Sequence, residues 1–231
     1  MSRGIFITGT GTDIGKTFVS ALIVKKLHEA GLNAAYFKAA VSGNERDSKG
    51  ELIPGDAAYE RKISGISQPL GEMCPYVYER AYSPHLAAIC EGDPVDMDVV
   101  AGRFADISSR YDYVTMEGSG GITCPIRYDS SGCFMLTDMI SQLGLSCIIV
   151  ADAGLGTINN TVLTCEYMKA RDIPIKGIIY NRFRSMDIMH TDNVKMCEEL
   201  TGVKTVALVP EDADDLYISA DELAELYEVI E

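Results

Sequence analysis

Apolar residues in this chain gather into short uninterrupted runs. Residues 5–8 (IFIT), 34–37 (AAYF), 113–116 (YVTM), 147–151 (CIIVA), 177–180 (GIIY) and 205–209 (TVALV) each read as a strand. A strand with one wet face alternates between apolar and polar. A near-continuous apolar run marks a strand covered on both faces, as in a parallel sheet. Between the runs, apolar positions recur every three or four residues. Residues 16–30 place Val19, Leu22, Ile23 and Leu27 along one helical face and stop at Gly31. Residues 99–108, 134–143, 161–169 and 194–200 follow the same rule, and Ser219-Ala220-Asp221-Glu222 is a capping box that opens a final helix. Residues 44–83 break the pattern, being rich in Gly, Pro and charge, with only a short helix expected near 56–63. The alternation predicts an α/β protein: a doubly wound, mostly parallel sheet flanked by helices, in one domain over residues 1–231.

Composition narrows the function classes. The 231 residues are 47% hydrophobic and 23% charged, an ordinary globular balance. No apolar run reaches the length of a membrane span, and the first apolar residues meet a glycine-rich turn too soon for a signal peptide. A cytoplasmic protein without a membrane partner is expected. The formal net charge of −14 repels phosphate backbones, so nucleic acid is not an expected partner. Any anionic ligand must be held by locally arranged donors and cations. The seven cysteines include no C-x-x-C pair, which reads as free thiols packed as small apolar residues.

Those local donors fall at the strand ends. In an open parallel sheet, ligands bind beyond the carboxyl ends of the strands. After the first strand comes GTGTDIGKT, residues 9–17; after the second come Lys38 and Ser42-Gly43; after the third, Glu117-Gly118-Ser119-Gly120-Gly121. Asp152 and residues 154–160 follow the fourth, and Asn181 the fifth. The first of these nearly spells the phosphate loop G-x-x-x-x-G-K-[ST], but Gly9 is one residue too early. Its place between a strand and a helix is the context the motif requires. A helix start offers unpaired N–H groups and partial positive charge. Ile14 and Gly15 would lend amides, Lys16 would reach the β/γ-phosphates of ATP, and the Thr17 hydroxyl would ligate Mg²⁺. Glu117 stands where a metal-holding acid is expected, with Asp56 and Asp13 as other candidates. On local sequence alone Asp56 reads first as a helix cap after Pro54-Gly55 and only second as a metal ligand. Lys38 needs an anion, a phosphate or a carboxylate, unless its ammonium simply reaches out to the sheet edge.

Taken together, GTGTDIGKT, residues 38–43 (KAAVSG), Ser83-Pro84-His85, residues 117–121, Gly156-Thr157-Ile158-Asn159 and Asn181 resemble the dethiobiotin synthetase family, over nearly the whole chain and in the same order. That family's phosphate loop, G-T-x-T-x-x-G-K-T, is one residue longer than the standard, which accounts for the misfit at Gly9. The resemblance implies a P-loop NTPase-like fold and an ATP- and Mg²⁺-dependent ring closure. 7,8-Diaminononanoate is carboxylated by CO₂, the carbamate is phosphorylated by ATP, and the second amine displaces phosphate to form the cyclic urea. It implies that Lys16 and Lys38 stabilise the carbamate and its phosphorylated form, and that Thr17, Asp56 and Glu117 hold the metal. Ser42 would lie near the carbamate, with Thr12, Asp13 and Gly118 beside the diamine and phosphates. The amides of Gly156, Thr157, Ile158 and Asn159 would take the substrate's distant carboxylate across a homodimer interface. Asn181 would contact adenine, with residues 210–215 nearby. Asp13 is commonly glutamate in that family, and Ala39 commonly proline. The family needs neither a nucleophilic cysteine nor a histidine base, and His85 reads as structural. The rival reading, a partitioning-type ATPase switch of the same broad fold, expects an early loop lysine where this chain has Gly11. An ATP-dependent amidase or ligase on another carboxylate is the alternative within enzymes.

Overall fold

In the computed structural model, which describes residues 1–130 and 132–230, the chain runs in order through β1 (Arg3–Gly9), α1 (Lys16–Glu29), β2 (Ala34–Lys38), β3 (Ala40–Val41), α2 (Gly55–Ser64), α3 (Leu70–Met73), β4 (Tyr76–Val77), α4 (Pro84–Glu91) and α5 (Met97–Ser108). It continues through β5 (Tyr113–Glu117), β6 (Pro125–Asp129), β7 (Gly132–Met135), α6 (Leu136–Gln142), β8 (Cys147–Asp152), α7 (Thr157–Lys169), β9 (Ile175–Asn181), α8 (Ile188–Thr201), β10 (Thr205–Val209), α9 (Ala220–Ala224) and β11 (Glu228–Val229). The main sheet has the order β10-β9-β8-β1-β5-β2, all parallel, with β11 antiparallel against the start of β1.

The apolar runs are strands for the reason the sequence suggests. Along β1, Ile5 and Ile7 face one core while Phe6 faces the other, so successive residues are buried on opposite faces. One core joins Phe6, Phe37, Val114, Met116 and Ile149 to Phe104 of α5, Ile140 of α6, Met168 of α7 and Cys197 of α8. The other joins Ile5, Ile7, Tyr36, Ile148 and Val150 to Leu22 and Ile23 of α1, Ala57 of α2, Met73 of α3 and Leu223 of α9. Each such fully buried large side chain contributes about 1.5–3 kcal/mol. Helices on both faces make the sheet doubly wound. β2 is an edge strand, and the buried Gln68 side chain covers part of that edge: Tyr36 N donates to its Oε1 at 2.9 Å and its Nε2 donates to Tyr36 O at 3.0 Å.

Several boundaries differ from the sequence reading. The helix expected over 134–143 begins at Leu136, because Phe134 and Met135 belong to β7, which pairs antiparallel with β6. The helix expected from 161 begins at Thr157, and the one expected from 194 begins at Ile188, where the Asp187 side chain accepts from Met189 N at 3.0 Å. Ser219 and Glu222 form the expected capping box. Residues 44–83 are more ordered than their composition suggests. The buried Asn44 amide donates to Val41 O and Tyr78 O at 3.0 and 2.7 Å, and accepts from Gly55 N at 2.8 Å, so one side chain fastens β3, the end of β4 and the start of α2.

Glu60, one turn beyond Asp56 on α2, is wholly buried, and neither carboxyl oxygen has a hydrogen-bond partner. Burial pushes its pKa up to about 8, and nearby Ser64 offsets only part of that. The unfolded chain releases this proton near pH 4.3 and the folded chain near 8, so stability falls as pH rises between the two values. Glu60→Leu should therefore stabilise the fold, on the order of 5 kcal/mol above pH 8 and progressively less toward pH 5. Thermal melts of both proteins at pH 5 and 8.5 check this; an equal gain at both values would mean that ionisation plays no part.

Candidate functional site

Parallel register brings the candidate residues into line. Lys38 pairs with Glu117 across β2 and β5, and Glu117 pairs with Ile7 across β5 and β1. The carboxyl ends of three neighbouring strands therefore deliver Lys38, Glu117 and the Gly9–Thr17 loop to one edge. Above them lies a cleft of about 980 Å³, whose lining includes Thr12, Asp13, Gly15, Lys16, Thr17, Lys38, Ser42, Asp56 and Glu117.

The loop ends on Gly15, the residue before α1, in the left-handed region at φ 88°. A Cβ there would sit 2.1 Å from Asn181 Nδ2, so only glycine fits. No side chain caps α1, and its first amides are left for a ligand. Lys16 folds back and donates from Nζ to Gly11 O at 2.8 Å. Burial, with Lys38 adding to it, lowers the Lys16 pKa although Glu117 and Asp56 oppose the shift. Asn181 Nδ2 donates to Ile14 O at 2.9 Å, while its Oδ1 is buried without a partner.

Lys38 is the centre of the charged cluster. Its Nζ, almost fully buried, lies 2.5 Å from Asp56 Oδ2 and 2.7 Å from Glu117 Oε1. Thr17 donates to Glu117 Oε1 at 2.9 Å, and the buried Tyr36 hydroxyl donates to Oε2 at 2.8 Å. Burial alone would lower the Lys38 pKa; Glu117 and Asp56 outweigh it and raise it, so the ammonium is a fixed charge at neutral pH and cannot serve as a base. The anion that Lys38 demands is thus supplied by the protein itself. Asp56 stands in the first turn of α2 without capping it, since that helix has no side-chain cap.

Hydroxyl and carboxylate oxygens are the donors Mg²⁺ prefers, so Thr17, Glu117 and Asp56 fit that ion by type. Among the described residues no group of three or more His, Cys, Asp and Glu forms a cage of its own. An ion here would complete its shell with phosphate oxygens and water, the usual arrangement for Mg²⁺. Cys124 also lines the cleft, but burial pushes its thiol up to about 11, which keeps it protonated and poorly nucleophilic.

Other candidates lie apart. Gly156, Thr157, Ile158 and Asn159 are absent from the cleft lining. They form the start of α7, which opens on Gly156 at φ 90° with no side-chain cap, beside the almost fully exposed Leu155. Ser42 lines the cleft but spends its hydroxyl on Tyr82 O at 2.6 Å. Gly118 follows β5 directly, packed where a Cβ would meet Phe6 at 2.8 Å. His85 Nδ1 lies 3.1 Å from Ser83 Oγ at the start of α4, a local contact. Residues 210–215 are fastened to α1 by Lys25 Nζ donating to Asp214 O and Lys26 to Asp215. Three neighbours were given no role in the sequence reading. Tyr36 looks there like any aromatic core residue. Ser119, which donates to Ala40 O at 2.7 Å, looks like part of a glycine-rich turn. Arg182 carries the only available signal, its position directly after Asn181 at a strand end.

A family model described as an AAA domain matches residues 3–215. The ATP-dependent dethiobiotin synthetase BioD of Brachyspira hyodysenteriae is 48% identical over 209 residues, covering 90% of this chain and 92% of that protein. The protein of the same name from Clostridium botulinum strain Loch Maree is 46% identical over 231 residues, covering all of both. Among solved structures, the MinC:MinD cell division complex of Aquifex aeolicus superposes with a TM-score of 0.58 at 15% identity, covering 97% of this chain and 86% of that one. A ParA family ATPase of Chlorobium tepidum gives 0.53 at 13%, covering 91% and 84%. At such identities these two attest the P-loop NTPase fold alone, whereas the close relatives, matched from end to end, decide the family. This chain belongs to the ATP-dependent dethiobiotin synthetase family.

Proposed function

We propose that this chain, acting as one domain and as a cytoplasmic homodimer, closes the ureido ring of dethiobiotin in the cleft lined by the Gly9–Thr17 loop. The observation that carries the reading is Lys38: an ammonium shielded from water and paired with Glu117 and Asp56, beside the Gly9–Thr17 loop. One amine of 7,8-diaminononanoate adds to CO₂ and loses a proton, giving a carbamate. A carbamate oxygen attacks the γ-phosphorus, and the bond to ADP breaks. The second amine then attacks the carbonyl carbon and loses a proton, and inorganic phosphate leaves as the ring closes.

The protein's part is positioning and charge. Lys16 would exchange the Gly11 carbonyl for the β/γ-phosphates, and the free amides of α1 would cradle them. Lys38 would face the carbamate and then its phosphorylated form, opposing the negative charge that gathers during transfer. Thr12, Asp13, Ser42 and Gly118 would border the reacting groups. Thr17, Asp56 and Glu117 would hold Mg²⁺, which when bound offsets charge on the transferring phosphate. Tyr36 orients Glu117 from below. Holding amine, carbamate and phosphate in line supplies on the order of 7–11 kcal/mol without covalent help from the protein. The unpaired Oδ1 of Asn181 suits the exocyclic amine of adenine while its Nδ2 keeps the loop in place.

The uncapped start of α7 offers free amides for the substrate's remote carboxylate. Because it lies outside its own chain's cleft, it would serve the partner's, and the bare apolar surface of Leu155 beside it suits a covered interface. The exposed Asn159 side-chain amide would add a donor to these backbone amides, so Asn159→Ala should raise KM for the diamine about tenfold with ATP affinity unchanged; an unaltered KM would exclude that side-chain contact.

The reaction itself is tested by supplying ATP, bicarbonate and the diamine and detecting dethiobiotin by mass. ATP turnover indifferent to the diamine would overturn the reading in favour of a nucleotide switch.

A further inference from the structure

Asn181 and Arg182, consecutive residues at the end of β9, grip consecutive carbonyls of the phosphate loop. Asn181 Nδ2 holds Ile14 O at 2.9 Å, and an Arg182 terminal nitrogen holds Asp13 O at 2.6 Å. Asp13 and Arg182 both adopt left-handed backbone, at φ 58° and 55°. Non-glycine residues keep that conformation only where their surroundings enforce it. The other terminal nitrogen of Arg182 donates to Asp152 Oδ2 at 2.7 Å. Asp152 Oδ1 in turn accepts from Gly154 N at 2.8 Å, within the turn that leads into α7. From α8, Asn193 Nδ2 donates to Ala153 O and Gly154 O at 2.9 and 3.0 Å, so that turn has little freedom of its own. One guanidinium thus stands between the loop that would hold ATP and the segment that would hold a carboxylate.

We propose that Arg182 is a positioning residue that couples the phosphate loop to the start of α7 through Asp152. Two facts separate this from an ordinary surface ion pair. Its guanidinium lines the same cleft as Lys16 and Lys38, and its planar fork reaches both partners at once, which a lysine ammonium on a single stem would not reproduce. Any shift of the Asp13 carbonyl on nucleotide binding must move Arg182 or break its bond. Either event is felt at Asp152 and at the Gly154 amide. The inference rests on the site reading above. If α7 serves the partner's cleft, the connection runs from the nucleotide of one subunit to the diamine held by the other.

Amide hydrogen exchange with Mg-ADP as the probe tests it and needs no turnover. In the unaltered protein, ADP should slow exchange about fivefold or more both at residues 11–17 and at residues 153–159, a factor at the low end of ordinary coupling. In Arg182→Gln and in Asp152→Asn the first response should persist while the second falls within about twofold of the ligand-free rate. A role confined to holding the fold would alter both segments alike, with or without ADP. Loss of ADP binding by R182Q leaves the decision to D152N, whose guanidinium still reaches Asp13. A response at 153–159 that survives in D152N, or that never occurs in the unaltered protein, overturns the coupling and leaves the nucleotide site standing. No protection at 11–17 in the unaltered protein would remove the site reading and the coupling with it.

Discussion

Lys38→Ala should lower turnover at saturating ATP and diamine by about 10³-fold or more, the scale set by removing a preorganised charge from a transition state. Its structural cost should be visible too. Taking one member from a buried ion pair destabilises by about 3–5 kcal/mol, because the orphaned charge stays behind. Here two carboxylates lose the same cation, the fully buried Glu117 and the half-buried Asp56, although Glu117 keeps its hydrogen bonds from Thr17 and Tyr36. Divalent cation can restore what the ammonium supplied, so Mg²⁺ should raise the melting temperature of this variant more than that of the unaltered protein. The pairing of measurements matters, since a low rate alone would follow from a damaged fold. Turnover within tenfold of the original, in a protein that melts normally, would take Lys38 out of the mechanism.

Gly15→Ala should weaken ADP binding about 100-fold or more, as read by calorimetric titration. Two independent penalties act at this position. The backbone at φ 88° costs an L-residue roughly 1–2 kcal/mol, and the new methyl would stand 2.1 Å from the Asn181 amide. Relief of either strain moves the loop or Asn181, which are the parts assigned to phosphate and base. Adding Asn181→Gly removes the clash but not the backbone strain, so the double variant should recover part of the lost stability without recovering affinity. Unchanged ADP affinity in the single variant would mean that the loop does not grip the nucleotide.

The site was legible in the sequence where chemistry and periodicity coincided. Six apolar runs became six strands of the main sheet, and the residues just past the first three runs told where the cleft's polar groups converge. Lys38 is instructive, because its demand for an anion could be read, but not that Asp56 arrives from α2 and Glu117 from the neighbouring strand to meet it. Such partners depend on parallel register, which a single sequence does not specify. The β6–β7 hairpin was hidden because Phe134-Met135 runs without a break into the apolar face of α6. The α4 helix was hidden because Ser83-Pro84 reads as a turn, although proline is also favoured at the first position of a helix. Asn44 and Gln68 look like loop residues. Their buried amides replace the backbone pairing that residues 44–83 would otherwise lack, and composition carries no trace of that. Arg182 is exposed, and its position after Asn181 does not foretell its left-handed backbone or its bonds to both Asp13 and Asp152.

The pairing of β11 with β1 has a practical side. Arg3 lies opposite Val229, and Ile230 N donates to Ser2 O at 3.0 Å, so the first and last strands meet at the amino edge of the sheet. Lys38 and the phosphate loop occupy the far edge. A tag or reporter joined ahead of Arg3 or beyond Val229 would therefore start from one shared corner, on the side of the sheet away from Lys38 and the cleft. A linker of only a few residues would span from Ile230 to Ser2, which are already hydrogen-bonded, so a circular rearrangement cut elsewhere would keep this edge of the sheet intact.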